Sequence, residues 1–261
     1  MRERTSFIDH MSYLWDLTLV LARKEMKIRY KSSVLGYLWS VLNPLLCAMV
    51  FYIAFRVVMR VQMENYHVFL ICGLFPWQWF SNSLNAAPMM FLGNASIVKK
   101  TNFPKAVIVL AIVVQDMIHF LLSLPVIVVF LLSIGKFPDP SWIYGVPALM
   151  TVQLVFTFGA SLFVASVNLF FRDLERLTNT AIMLLFYFTP ILFPADMVPA
   201  HYRSLLLLNP LAALFTGWRT LLLEGTFKVD QFLAAGLCAA LVLVMGYAAY
   251  WKLRWRFAEV L

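Results

Sequence analysis

Leu205-Leu206-Leu207-Leu208-Asn209-Pro210-Leu211-Ala212-Ala213-Leu214 stands at the centre of a stretch, Pro194 to Asp230, whose reading decides the fold. Two apolar runs, Leu205–Leu208 and Leu211–Leu223, meet at Asn209-Pro210. Neither reaches the roughly 20 apolar residues that one helix needs to cross a bilayer. Together they are too apolar for a solvated loop, and Pro194 and Pro199 mark their upstream border. Broken helices that dip into a membrane and turn back are tolerated where they are buried in protein or line a watery path. Two arrangements satisfy this pattern: a gate on a transport route, or a partly buried hairpin outside the membrane.

The rest of the chain makes the membrane reading firm. Of 261 residues, 62% are hydrophobic and 13% charged, with a mean hydropathy of +0.81. A soluble domain averages about half apolar and a quarter charged. Cys47, Cys72 and Cys238 lie inside apolar segments and form no CxxC pair, so they read as packing residues. Residues 1–31 are charged throughout and lack the short apolar core of a cleavable signal.

Six apolar segments are expected to span: Val34–Met59, Phe69–Leu92, Ala106–Ile134, Ile143–Phe171, Leu177–Phe193 and Phe232–Trp251. Six spans put both termini on one side. That side collects fifteen Lys and Arg, seven of them in the N-terminal segment and the rest around Lys99, Lys100, Lys105, Arg172, Arg176 and the C-terminus. The opposite side has six: Arg56, Arg60, Lys136, Arg203, Arg219 and Lys228. The positive-inside rule then places both termini in the cytoplasm and Pro194–Asp230 outside. The net charge of +8 is explained by topology and contact with anionic lipid, and no nucleic-acid partner is expected.

Ahead of the first span, residues 8–31 carry no helix breaker. Met11, Leu14, Trp15, Thr18, Leu21 and Ala22 share one helical face, while Asp16, Arg23, Lys27 and Lys31 fall near the other. This predicts an amphipathic helix at the cytoplasmic interface, either a basic anchor or a dock for a partner.

No Gly-x-x-x-x-Gly-Lys-Ser/Thr loop occurs, so the chain does not cradle nucleotide phosphates in that way. Intramembrane ionisable groups are few. Gln115, Asp116 and His119 cluster in the third span, and Asp116 and His119, at i and i+3, share a face on which they can pair; a structural hydrogen-bonding role is favoured over a proton relay or a substrate contact. Bond chemistry on a lipid-linked sugar would need a richer set of acids and histidines, so the chain is expected to be no enzyme, and no metal site is expected. A secondary transporter would show more coupling groups and matched broken helices. Energy supplied from the cytoplasmic side fits better. Two loops are placed to receive it. Residues 94–104 read as a short helix through Ile97, Lys99 and Lys100, stopped by Pro104 and capped by Asn94 or Ser96; Phe103 beside the two lysines suits a partner cleft, or is an interfacial aromatic on a positive loop. Arg172 and Asp173 open a second loop whose opposite charges either pair locally or act as a latch.

The second span begins Phe75-Pro76-Trp77-Gln78-Trp79-Phe80-Ser81-Asn82-Ser83-Leu84-Asn85. Gln78, Asn82 and Asn85 recur at i, i+4 and i+7 and form a polar stripe flanked by Ser81. Amides facing lipid are costly, so they face protein or water. With Trp77 and Phe80 beside them they suit a sugar chain, whose faces stack on rings and whose hydroxyls bond amides. Helix–helix hydrogen bonding and an interfacial aromatic belt remain the alternatives.

Taken in order, several short motifs resemble one family across nearly the whole chain. Arg29-Tyr30-Lys31-Ser32-Ser33-Val34-Leu35-Gly36-Tyr37-Leu38-Trp39 with Asn43-Pro44, Gly73-Leu74-Phe75-Pro76-Trp77, Phe171-Arg172-Asp173, Phe188-Thr189-Pro190-Ile191 and Asn209-Pro210 are similar to those of permease subunits of type-2 ABC exporters of cell-surface polysaccharide, nearest to O-antigen export permeases. The resemblance implies one all-α integral membrane domain over residues 1–261. Six transmembrane helices, an N-terminal interface helix (8–31), a coupling loop (94–104) and re-entrant periplasmic gate helices (194–230, with Asn209, Pro210 and Trp218) would make it up. It implies a homodimer in the bacterial inner membrane with two separate nucleotide-binding subunits. ATP and Mg would be held by those subunits, with no cofactor in this chain. The cargo implied is a lipid-linked polysaccharide, O-antigen on undecaprenyl diphosphate. A capsule or teichoic-acid exporter, or a permease for another lipid or a drug, is the alternative.

Overall fold

A computed structural model describes residues 7–29, 31, 33, 35–100, 103–202 and 209–261. The Leu205–Leu208 run, Arg203, Arg2, Arg4, Tyr30, Ser32, Val34, Thr101 and Asn102, together with the side chain of Met11, lie outside the described residues. Among the described residues there is no strand. The helices are α1 (Phe7–Arg29), α2 (Trp39–Tyr52), α3 (Tyr66–Ala86), α4 (Ala95–Lys100), α5 (Ala106–Ser133), α6 (Trp142–Asn168), α7 (Leu174–Phe188), α8 (Ala212–Glu224), α9 (Val229–Leu253) and α10 (Phe257–Val260).

Among the described residues, four helical stretches are long and apolar enough to cross a membrane: Gly36–Val58, Ala106–Ser133, Trp142–Asn168 and Val229–Arg256. The first joins a 3₁₀ turn, α2 and a π turn into one rod. These four coincide with expected spans one, three, four and six. The other two expected spans differ from their sequence bounds. Helix α3 begins at Tyr66 and ends at Ala86, where Pro88 sits in a 3₁₀ turn. Helix α7 stops at Phe188 after 15 residues, because Thr189 turns to extended backbone ahead of Pro190. Proline at 190 disfavours helix at the residue before it, so the expected run to Phe193 is cut short and ends in a turn.

Prolines inside helices leave carbonyls and kinks that the bundle must satisfy. At Pro76 a neighbouring helix also bonds the α3 backbone directly. The Pro76 carbonyl accepts a hydrogen bond from Gln153 Nε2 of α6 at 2.8 Å, and Gln153 Oε1 accepts one from Trp218 Nε1 of α8 at 2.6 Å. One buried amide thereby ties α3, α6 and α8 together.

Helices α6 and α9 pack along their length through glycines. A Cβ on Gly246 would lie 2.0 Å from the Gly159 carbonyl oxygen, and one on Gly159 would lie 2.6 Å from Leu243 Cα. Small residues of this kind allow helix backbones to approach closely in a membrane protein. The core centres on α3, from Tyr66 to Leu84, against α5, α6 and α8. By contrast, only Pro44 and Ala48 of the apolar stretch Gly36–Val58 are buried within the chain, and α7 exposes Met183, Leu184, Tyr187 and Phe188.

Helix α1 lays Leu14, Leu17, Thr18, Leu21, Ala22 and Glu25 toward the bundle, with Thr18 and Ala22 fully covered. Trp15, expected on the same face, is exposed together with Tyr13 and Val20. Asp16, Arg23 and Lys27 are exposed, as the amphipathic pattern requires.

Candidate functional site

The expected polar stripe of α3 lies on one wall of a recess of about 530 Å3. Gln78, Asn82 and Asn85 line it from α3. Arg29 at the end of α1, Ser33 after it, and Trp39, Ser40 and Asn43 of α2 complete its lining. Gln78 Nε2 donates to Asn82 Oδ1 at 2.8 Å, and Asn85 Nδ2 donates to Ser81 Oγ at 3.2 Å. The amides are thus ordered along the helix, on one wall of the recess. Hydroxyls, amides and one cation on opposite walls can bind a hydroxyl-rich or phosphate-bearing chain by multiple hydrogen bonds.

The aromatics expected beside that stripe point elsewhere. Trp77 and Phe80 are buried, Trp77 against Phe80, Phe186 and Phe215 with centroids 5.4–5.5 Å away, and Phe80 against Phe156. They sit on the core side of α3, about opposite the amides, as a helix with a 3.6-residue period dictates. Trp79 donates its Nε1–H to the Val113 carbonyl at 3.1 Å. The aromatic that borders the recess is Trp39, which is 39% exposed. It belongs to a different sequence segment, and no periodicity links it to Gln78.

At the inner end of the recess Arg29 Nη1 meets Asp116 Oδ1 at 2.6 Å, and Ser83 Oγ donates to Asp116 Oδ2 at 2.8 Å. The expected Asp116–His119 pair is therefore corrected: Asp116 is taken by Arg29 and Ser83. The His119 ring lies 6.3 Å from that of Tyr37. An i, i+3 spacing on a helix permits a pair, but a cation from a neighbouring element competes better for a buried carboxylate than a weakly basic imidazole.

The loop expected to receive energy does form a short helix, α4. Its first-turn backbone bonds run from the Ile97 and Val98 amides to the Asn94 carbonyl, each 2.9 Å. The Asn94 side chain links outward: Nδ2 donates to the Met90 carbonyl at 3.0 Å, and Oδ1 accepts from Lys24 Nζ of α1 at 2.8 Å. Lys99 and Lys100 are exposed, Ile97 and Phe103 half-buried. The Lys105 ammonium lies over the Phe103 ring at 5.1 Å. Phe103, Pro104 and Lys105 also border a cleft against Tyr250, Arg254 and Trp255 near the chain's end. At the second loop, Arg172 and Asp173 are exposed at the start of α7 and make no ion pair among the described residues.

Helix α8 is the described half of the broken apolar segment. Its thirteen residues span about 20 Å at 1.5 Å per residue, and it packs into the bundle against α3, α6 and α9. Asn209 holds its start: Nδ2 donates to Thr189 Oγ1 at 2.9 Å and the Phe188 carbonyl at 3.2 Å, while Oδ1 accepts from the Leu211 amide at 3.0 Å. Pro210 is half-buried beside it. Gly225, with φ +67°, closes the helix in the left-handed conformation, and a Cβ there would lie 2.8 Å from Asp139 Cβ. Trp218 is fully buried and so is an anchor within this chain.

Arg219, one of the six cations that the charge pattern assigns to the outer side, is 5% exposed. Its Nη2 donates to the Pro190 carbonyl at 2.5 Å and the Ile191 carbonyl at 3.0 Å. Its guanidinium lies 3.7 Å from the centroid of the Phe69 ring. Arginine suits this place because its planar fork can bridge two carbonyls while stacking on a ring. The only sequence signal was its place five residues from an end of an otherwise apolar helix.

Comparison with known proteins agrees with this architecture. The sequence model of the ABC-2 type transporter family matches residues 16–223. An O-antigen export system permease protein, RfbA of Klebsiella pneumoniae, is 48% identical over 252 residues, covering 97% of both chains. The protein of the same name from Myxococcus xanthus is 32% identical over 91% of this chain and 92% of its own. The polysialic acid transport protein KpsM of Escherichia coli is 23% identical over 72% of this chain and 74% of its own. With a family match across most of its length and close relatives spanning nearly all of it, the chain belongs to the ABC-2 type transporters, as a permease closely related to the O-antigen export permeases.

Proposed function

We propose that the chain is the membrane subunit of an ATP-driven exporter of a lipid-linked polysaccharide, O-antigen on undecaprenyl diphosphate. Two copies would form the conduit, and separate nucleotide-binding subunits would hydrolyse ATP. The observation that carries the proposal is the amide-lined recess on α3, in a chain 48% identical to an O-antigen export permease. The recess is open, and beside it stands the scarcely buried rod Gly36–Val58. Apolar helix faces left uncovered in one chain, here α2 and α7, are what a second copy would cover or lipid would bathe.

In this reading α3 and α7 complete six spans. Burial of α3 inside the bundle relaxes the apolarity demanded of a lipid-facing helix, and the turn after α7 extends it toward the far surface. The positive-inside rule sets both termini and α4 in the cytoplasm of a bacterial inner membrane. Helix α4, with Ile97, Lys99, Lys100 and Phe103, would seat in a cleft of the ATPase subunit. Its motion would reach the recess through Asn94 and Lys24 to α1, and through α1 to Arg29. Arg172 and Asp173, exposed at the same end, are free to engage the partner. The segment 194–230 would form the far gate. Because α8 is anchored in its own chain by Trp218 and Arg219, the moving part would be the stretch around Asn209-Pro210.

A capsule exporter is the second reading; it leans on the more distant similarity to KpsM. Deletion of the gene in its native host tests the proposal. Loss of surface polysaccharide with retention of the lipid-linked glycan inside, restored by the intact gene, is expected. Unchanged surface polysaccharide would refute it.

A further inference from the structure

A second cavity, of about 480 Å3, lies between α1 and the bundle. It shares Arg29, Asn85 and Ala86 with the amide recess but opens on the other side of α1, toward Lys24, Glu25 and Ile28. Its volume lies in the range of small-molecule sites. On its inner wall is Gln115 of α5, which is 1% exposed and whose Nε2 has no hydrogen-bond partner among the described residues. A buried amide N–H left unpaired costs free energy, and its presence on a cavity wall asks for an acceptor in that cavity.

The charges around the cavity decide what the acceptor belongs to. Lys24 and Glu25 pair at 3.0 Å on its rim, their side chains 39% and 23% exposed. Arg29 is neutralised by Asp116 behind it. Two cations and two carboxylates give no net charge, so a net anion gains little from the site. A zwitterion can use both members of the rim pair. The outer wall is apolar, with Ile28 and Met89 exposed at 57% and 48% and Ile112 buried behind them.

We propose that this cavity binds the head group of a phosphatidylethanolamine-type lipid. Its phosphate accepts from Gln115 Nε2 and Lys24 Nζ, its ammonium donates to the Glu25 carboxylate, and its acyl chains leave over Ile28 and Met89. The lipid fills the gap under α1 and fixes that helix against α5. The site adjoins the amide recess through Arg29, Asn85 and Ala86 but is reached by Lys24, Glu25 and Gln115, which the recess does not include.

Native mass spectrometry of the full chain in detergent, with dioctanoyl phosphatidylethanolamine, dioctanoyl phosphatidylglycerol and farnesyl diphosphate offered together, tests this. The ethanolamine lipid is expected to bind about tenfold more strongly than the glycerol lipid, and Gln115→Leu to weaken it about tenfold, the effect of one hydrogen bond to a charged group. Glu25→Gln, on the rim, is expected to abolish the preference between the two lipids while leaving the protein folded. Equal binding of both lipids by the unaltered protein, displacement by farnesyl diphosphate, or no change in Gln115→Leu would each overturn the proposal.

Discussion

Arg29 at the end of α1 reaches Asp116 in the middle of α5, Nη1 to Oδ1 2.6 Å, across 87 positions of sequence. Asp116 is 1% exposed and has Ser83 as its other partner. A buried carboxylate is expensive unless paired and hydrogen-bonded, so this contact fixes where α1 ends and where the recess begins.

Removing one member of the pair should therefore cost more than removing both. Arg29→Met is expected to lower the free energy of unfolding by about 3 kcal/mol, since it strands a buried charge. The double variant Arg29→Met/Asp116→Leu should recover most of that loss. Thermal unfolding of the purified protein reads both, and a double variant as unstable as the sum of the singles would remove the coupling.

Gln153 presents a second case of shared buried polarity. Gln153→Leu strands the Trp218 N–H, at about 1–3 kcal/mol, and removes the side-chain bond to the Pro76 carbonyl. Trp218→Phe strands only the Gln153 oxygen and should cost less than Gln153→Leu. Melting temperatures of the two variants check the order.

Arg219→Lys keeps the charge but loses the fork and the ring stack. It is expected to destabilise by about 2 kcal/mol, the scale of a lost charged hydrogen bond, and to loosen α8 from the turn at Pro190. Limited proteolysis within 189–212 should become faster, while α6 and α9 remain protected.

Gly246→Ala would place a Cβ 2.0 Å from the Gly159 carbonyl oxygen, whereas Gly236→Ala meets nothing within 4 Å on the same helix. The first should destabilise by more than 2 kcal/mol, in the manner of an overpacked contact. The second should leave stability unchanged or raise it by up to about 1 kcal/mol through helix propensity. Thermal unfolding of the pair separates packing from propensity.

Much of this was legible in the sequence because apolar length and helical period are local signals. The Gln78, Asn82 and Asn85 stripe, the helix near Ile97 and the break at Asn209-Pro210 follow from residues within one or two turns. Trp77 and Phe80 are buried on the other side of α3 from the amides for a related reason. Neighbours in sequence on a helix face different sides, and only packing tells which side is core. Arg29–Asp116, Arg219 and Trp39 depend on contacts between distant segments, for which a single sequence carries no periodic trace.

Reconstitution of the permease with its ATPase subunit in vesicles that carry lipid-linked polysaccharide on the outer leaflet tests the central claim most directly. Passage of the glycan to the interior, read by protection from an added glycosidase, is expected to require ATP. It should fall at least tenfold when Gln78 and Asn82 are replaced by leucine, with ATP-free passage at background. Protection that appears without ATP, or that is unchanged in Gln78→Leu/Asn82→Leu, would contradict the account.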